Sequence, residues 1–291
     1  MKKLFLIMIV STHYNVIAQD VRFTPRIETG AWLFNSKLSA DMFNENKQRT
    51  WFDFSEVMGV VQLGGTLEMN KFYMDAYVQQ SSTGSGDPNN ETLVEDGRDS
   101  YLSQDADFDR SEYSFLLGYQ LPQLSLFAGY RFQETEIEET LENPLTADGK
   151  TRGADTWDIN LDSSGPFLGV KYAVPIEFNS SFILSGSVGF FEHDYENAYT
   201  MDLGGDGPFS KLKMLFDFET DVVELGLGLT YIRKLNRKLD LKVLGQLNYY
   251  SFDENIDLTT GGNDGIIEAG AIDFEADELS FQFRVGLDYH F

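Results

Sequence analysis

The sequence predicts an all-β fold, an antiparallel up-and-down barrel of ten strands, and three observations predict it. Segments that alternate apolar and polar residues recur along the chain, as strands do when one face meets oil and the other water, because strand side chains repeat every two residues. The joints between these segments are tight on one side and long on the other, as expected where antiparallel neighbours follow one another in the chain. Aromatics are abundant, with 24 Phe and 14 Tyr in 291 residues, and 26 glycines are spread through the strand-like segments as well as the joints. Small interior residues relieve crowding inside a closed barrel.

The alternation places strands at 22–35, 54–68, 71–80, 110–121, 123–135, 165–175, 180–193, 214–233, 238–252 and 278–291. Eight or twelve strands stay open, since 157–174 and 214–233 can each be divided differently. Tight joints are expected near Asn70, at Pro122-Gln123, at 177–179 and at Asn236-Arg237. The segments 36–53, 81–109, 136–164, 194–213 and 253–277 read as long loops. Soluble domains rarely carry several structureless loops of that size.

The last thirteen residues carry the clearest pattern. Leu279, Phe281, Phe283, Val285, Leu287, Tyr289 and Phe291 fall on one face, and Ser280, Gln282, Arg284, Gly286, Asp288 and His290 on the other. This closing strand resembles the terminal strand of bacterial outer-membrane β-barrels, whose lipid face is apolar and edged with aromatics. The segment Gly165-Pro166-Phe167-Leu168-Gly169-Val170-Lys171-Tyr172 is similar to strands of pore-forming and adhesin-like members of that class. The resemblance implies a monomeric transmembrane barrel in the bacterial outer membrane, with short periplasmic turns and long extracellular loops. It also implies two periplasmic termini and a C-terminal strand ending at Phe291 that engages the barrel assembly machinery. Uncharged stripes then mark the lipid face: Tyr113 to Leu121, Leu124 to Phe132 and Val223 to Tyr231, each taken at every second residue.

The N-terminus fits export. Lys2 and Lys3 precede the apolar run Leu4 to Val10 and then Val16-Ile17-Ala18, a signal-peptide pattern over 1–18 that leaves 19–291 as one barrel domain. Seven apolar residues are too few to span a bilayer as a helix, which needs roughly 20. The chain has no cysteine, which removes disulfides, thiolate chemistry and a lipid-modified N-terminal cysteine.

Without residues 1–18 the chain holds 20 basic and 47 acidic side chains, a net −27. Four stretches supply all of it: 81–110, 133–160 and 192–221 carry −6 each, and 253–278 carries −9. Nucleic acid is therefore not an expected partner, because phosphate binding requires Lys/Arg patches. The acidic segments read as solvated surface or as a place where divalent cations bridge to lipopolysaccharide phosphates or a protein partner. The opposite rim is basic, with Arg233, Lys234, Arg237 and Lys238 around one turn, suited to anionic phospholipid headgroups.

Three sets of residues are site candidates, and no cofactor is expected. Arg26, Glu28, Glu56, Glu68, Asp75, Glu112, Arg131, Lys171, Glu224, Lys242, Arg284 and Asp288 fall on the interior face. They read either as a salt-bridged plug or as the lining of a narrow charged conduit. Asp105, Asp107 and Asp109 suggest weak calcium binding, but Arg110 and Leu116 stand where an EF-hand needs glycine and glutamate. His193, in Glu192-His193-Asp194, stands at the predicted outer end of a strand, capping it at the water interface or serving as a base. The omptin proteases, which are ten-stranded barrels of similar length, keep catalytic groups at that rim. No serine can be placed beside His193 from sequence, although a lipid A deacylase would need one. The expected function is a non-enzymatic barrel, either a narrow solute pore or a closed barrel displaying acidic loops; the alternative is a rim hydrolase based on His193.

Overall fold

A computed structural model describes residues 21–41, 49–82, 91–95, 98–142, 155–177, 179–202, 211–262 and 265–290. The segment 1–18 and Phe291 lie outside them. The described residues form eleven strands: β1 (Val21–Asp41), β2 (Arg49–Met69), β3 (Phe72–Ser82), β4 (Glu91–Glu95), β5 (Arg98–Gln120), β6 (Leu124–Glu142), β7 (Asp155–Glu177), β8 (Ser180–Asp202), β9 (Lys211–Lys234), β10 (Leu239–Gly262) and β11 (Gly265–Tyr289). Ten of them form the barrel, all antiparallel. Pairing of β1 with β11 and of β3 with β5 closes the ring, and β4 pairs with the far end of β5. Closure leaves the barrel no free edge, which an open sheet of this length would expose.

The ten strands match the predicted ones in number and order, but not in length. The segments 36–53, 81–109, 136–164, 194–213 and 253–277, expected to be long loops, are strand throughout their described residues. The β10–β11 ladder, for example, runs on from Asp253 opposite Glu275 to Gly262 opposite Gly265. Strands β5 to β11 are 19 to 25 residues long, about twice the 9–11 that cross a bilayer.

The tight joints fall where the sequence places them. Asn70 turns with φ 57°, a left-handed conformation that asparagine tolerates better than most residues. Between β9 and β10 the N–H groups of Leu235 and Asn236 donate to the Leu239 carbonyl at 2.9 and 3.2 Å, and the Lys238 N–H donates to Asn236 Oδ1 at 2.8 Å.

Beside this turn end the outward face is apolar. Leu227 is 63% exposed, and Leu117, Phe132, Leu168, Leu184, Phe281 and Leu33 are exposed around the same belt. The three predicted lipid stripes and the apolar face of the C-terminal strand all point outward here. Exposed apolar area on this scale implies a non-aqueous surround. Farther from the turns the polarity inverts: outward residues become carboxylates, and the interior becomes oil built from Phe34, Phe108, Ile137, Ile159, Leu161, Tyr195 and Val222. One continuous sheet therefore has a wet inside and an oily outside near the turns, and the reverse beyond.

Candidate functional site: the interior and the acidic collar

Most of the predicted interior charges do meet within the apolar belt. Arg26 forks onto the Asp75 carboxylate, which also accepts from Thr66. Arg131 pairs in the same two-toothed manner with Glu224, its guanidinium lying 4.2 Å from the Phe191 ring centroid. Glu28, almost fully buried, stands between Lys242 at 3.0 Å, Arg284 at 3.4 Å and Arg26 at 3.8 Å. Arg284 also donates to Gln62 and Gln79, and the Tyr77 hydroxyl donates to Glu112. Forked arginine–carboxylate pairs are the strong form of this interaction.

Other predicted members stand apart from these pairs. Lys171 makes no ion pair among the described residues; its ammonium lies 5.1 Å from the Phe127 ring centroid and 5.7 Å from that of Tyr73. Glu68 is half-buried near the turn end. Asp288 stands opposite Arg26 on the neighbouring strand, with Oδ1 buried and lacking a hydrogen bond. The Glu56 side chain lies outside the described residues.

The sequence reading missed two further clusters. At the turn end, His290 bridges Asp240 at 2.8 Å and Thr24 at 3.1 Å, tying β11 to β10 and β1. Beyond the apolar belt, Arg110 forks onto Glu278 at 3.2 and 3.3 Å and donates to Thr135, while Tyr250 donates to Glu278. The Arg110 guanidinium lies 4.6 and 4.7 Å from the Trp32 and Phe34 rings. Both members are the first residues of predicted strands, at the edges of acidic stretches, where Arg110 shares the alternation of Glu112 and Glu278 that of Arg284. Trp32, Met58, Val60, Phe108 and Arg110 are each at most 1% exposed, so this layer fills the bore.

His193 belongs to that filled layer, which corrects its expected position at a strand end in water. β8 continues nine residues past it to Asp202, and the side chain points inward, 3% exposed, edge-on to the Tyr250 ring at 4.9 Å. Glu192 and Asp194 necessarily face the other way, since neighbours on a strand alternate. The register instead sets Ser163 and Thr220 on either side of His193, and its Nδ1 is buried without a hydrogen bond.

The outward carboxylates form a collar beside the apolar belt. Across β6, β7, β8 and β9 one row reads Glu134, Asp162, Asp194, Glu219, and a second, starting on β5, reads Asp109, Glu136, Asn160, Glu196, Asp217. Asp107 stands opposite Glu138, so two of the three calcium candidates join this collar; the Asp105 side chain lies outside the described residues. Among the described residues no three such groups converge closely enough to hold a metal ion. Like charges directly opposite one another across strands destabilise the pair. Partial burial, then Glu134, Asp194 and Glu136, push the Asp162 carboxyl above its ordinary 3.8.

No family model matches this chain, and neither does any curated protein. Solved structures do. The outer membrane protease OmpT from Escherichia coli superimposes with a TM-score of 0.67 at 13% identity, covering 95% of this chain and 99% of its own. The translocator domain of the autotransporter NalP from Neisseria meningitidis gives 0.43 at 10% identity, over 95% and 90%, and the toluene transporter TodX of Pseudomonas putida 0.38 at 11%, over 94% and 91%. The OmpT likeness is one of fold, and the chain accordingly has the closed, ten-stranded, all-antiparallel fold of the outer-membrane β-barrels.

Proposed function

We propose that this protein is a closed, non-enzymatic barrel of the bacterial outer membrane, with periplasmic turns and termini, whose acidic collar meets lipopolysaccharide phosphates through divalent cations. The observation that carries the reading is the filled layer around Arg110 and Glu278, where side chains from all round the barrel are buried to within a few per cent. A bore closed in this way leaves no column of water for solute to follow. The collar's height supports its partner, since it begins where the lipid-facing aromatics Phe132 and Phe190 end. Carboxylates meet phosphates there only if cations stand between them, and hard divalent cations take oxygen ligands. The test is planar-bilayer recording from refolded protein whose folding is verified by a heat-dependent mobility shift. Silence is expected, and discrete reproducible conductance steps would replace the closed barrel with a pore.

A second reading, a hydrolase based on His193, draws on Ser163 standing opposite it, although both side chains are 3% exposed within the filled layer. Nucleophile and base must come within hydrogen-bond reach, and substrate must reach both. Any hydrolase activity found in the protein that survives His193→Ala rules this reading out.

A further inference from the structure

Between the turn end and the filled layer lies a cavity of about 220 Å³. Its wall has two unlike halves. One carries five cationic side chains, Arg26, Arg131, Lys171, Lys242 and Arg284, against three carboxylates, Glu28, Asp75 and Glu224. Glu112, held by Tyr77, and Asp288 lie off this wall. The other half is built from Ser185, Ser187 and Gly189 of β8 and Gly226 and Gly228 of β9. The serine hydroxyls lie over the two β9 glycines so closely that an added Cβ there would run into them. Small residues on one side and long cations on the other are what leave the space.

The pairing inside is incomplete for both signs: Arg26 Nε and Arg284 Nε are buried donors without a hydrogen bond, and both Glu28 oxygens and Asp288 Oδ1 are buried acceptors without one. Asp75 is matched by Arg26 and Glu224 by Arg131, whereas Glu28 alone answers both Lys242 and Arg284. Lys171 has no carboxylate in ion-pairing range, and the Nε–H of Arg131 is buried without a hydrogen bond. Lys171 also stands opposite Ser185, which itself stands opposite Gly228, so Lys171 shares a row with the Ser185 hydroxyl. A partly buried lysine with no carboxylate at contact range has its charge answered only by the Phe127 and Tyr73 rings and by solvent, and an oxyanion would supply the missing contact.

We infer that this cavity is a binding site for a small oxyanion, a phosphate or a short carboxylate, held by Lys171, Arg284 and the β8 hydroxyls and reached from the turn end. The direction of access follows from packing. The layer on the far side is sealed, while Lys171, Ile183, Ile232 and Lys242 toward the turns retain partial exposure. The cavity has room for one such ion or for several waters, and the two occupants behave differently: an ion site saturates and discriminates among anions at equal ionic strength.

The experiment uses refolded full-length mature protein in detergent micelles, titrated with inorganic phosphate or succinate against chloride at matched ionic strength, and read by thermal unfolding and calorimetry. A saturable rise in midpoint with one of the two oxyanions is expected. Lys171→Met should weaken it about tenfold or more, the loss of one charged hydrogen bond, and Lys171→Arg should restore most of it. Lys171 pairs with no carboxylate, so its removal leaves no orphaned acid and the variant should fold. A preference for phosphate or for succinate identifies the ligand class. Absence of a saturable response to both in folded protein, or an equal response in Lys171→Met, would mean that the cavity holds only water and overturns the proposal.

Discussion

Arg110 shows what a single buried ion does in this barrel. Its guanidinium is 1% exposed, forked onto Glu278, bonded to Thr135 and stacked under Trp32 and Phe34. Desolvating such a pair costs several kcal/mol per ion, so the pair adds less than its distances suggest, whereas half of it is worse than either extreme. Glu278→Gln keeps an acceptor for Tyr250 but strands the cation, and should cost about 3–5 kcal/mol. Replacing the cluster with oil, Arg110→Met, Glu278→Leu and Tyr250→Phe together, should cost far less and come near the native value. Urea unfolding of the refolded protein measures both, and a triple variant as unstable as the single one would show that the network itself supplies stability. His193 teaches a related lesson. Flanked in sequence by two acids, it looks like a base with partners, but alternation sends both acids to the opposite face and gives it Ser163, Thr220 and an aromatic edge instead.

At the scale of strands, the sequence made the ten elements, their order and their faces legible, because the uncharged outward stripe is written in residue type. Their ends were not legible, for a physical reason visible in β6. From Tyr130 to Phe132 the outward residues are aromatic, and at Glu134, Glu136 and Glu138 they are acids, while the inward Thr135 and Ile137 keep the period intact. A strand recognised by an uncharged outer face ends where lipid ends, although the hydrogen-bonded ladder continues. The interior ion pairs were legible as a set of charges but not as partners, since Arg26 meets Asp75 across two strands and Arg131 meets Glu224 across the bore. The membrane boundary within a strand is directly testable on β9. Leu227 is at the middle of the outward run Val223 to Tyr231, and Val223 is its last residue before the collar. Leu227→Arg should destabilise the folded barrel by about 2–4 kcal/mol and Val223→Arg by about 0–1 kcal/mol. Equal penalties in lipid-bilayer refolding would move the boundary.

The molecule as a whole is two barrels of opposite polarity sharing one sheet, and the collar is where this has an electrostatic consequence. Around β5 to β9 carboxylates stand directly opposite carboxylates at several outward positions, Glu134 with Asp162, Asp162 with Asp194 and Asp194 with Glu219 among them, and like charges so placed oppose pairing. The oily interior behind them supplies the opposing stability by burial. Repulsion of this kind makes the folded state bind cations more tightly than the unfolded chain, in which the same acids are dispersed, and a ligand that prefers the folded state stabilises it. Millimolar Mg²⁺ should therefore raise the urea midpoint of the refolded protein more than an equal ionic strength of Na⁺ does. Asp162 gives the sign of the pH dependence. Its carboxyl is raised above 3.8 in the folded state by partial burial and the neighbouring acids, so its favourable contribution is complete below that value and is lost as pH rises through the folded-state pKa. Asp162→Asn should then stabilise the barrel at pH 7 by about 0.2–1 kcal/mol, the scale of one like-charge cross-strand pair. The gain should vanish below about pH 3.8 and shrink at pH 7 once Mg²⁺ is present. A gain that is the same at both pH values, or a wild-type midpoint indifferent to Mg²⁺, would mean that water alone screens the collar, and the bridge to lipopolysaccharide phosphates would lose its physical basis.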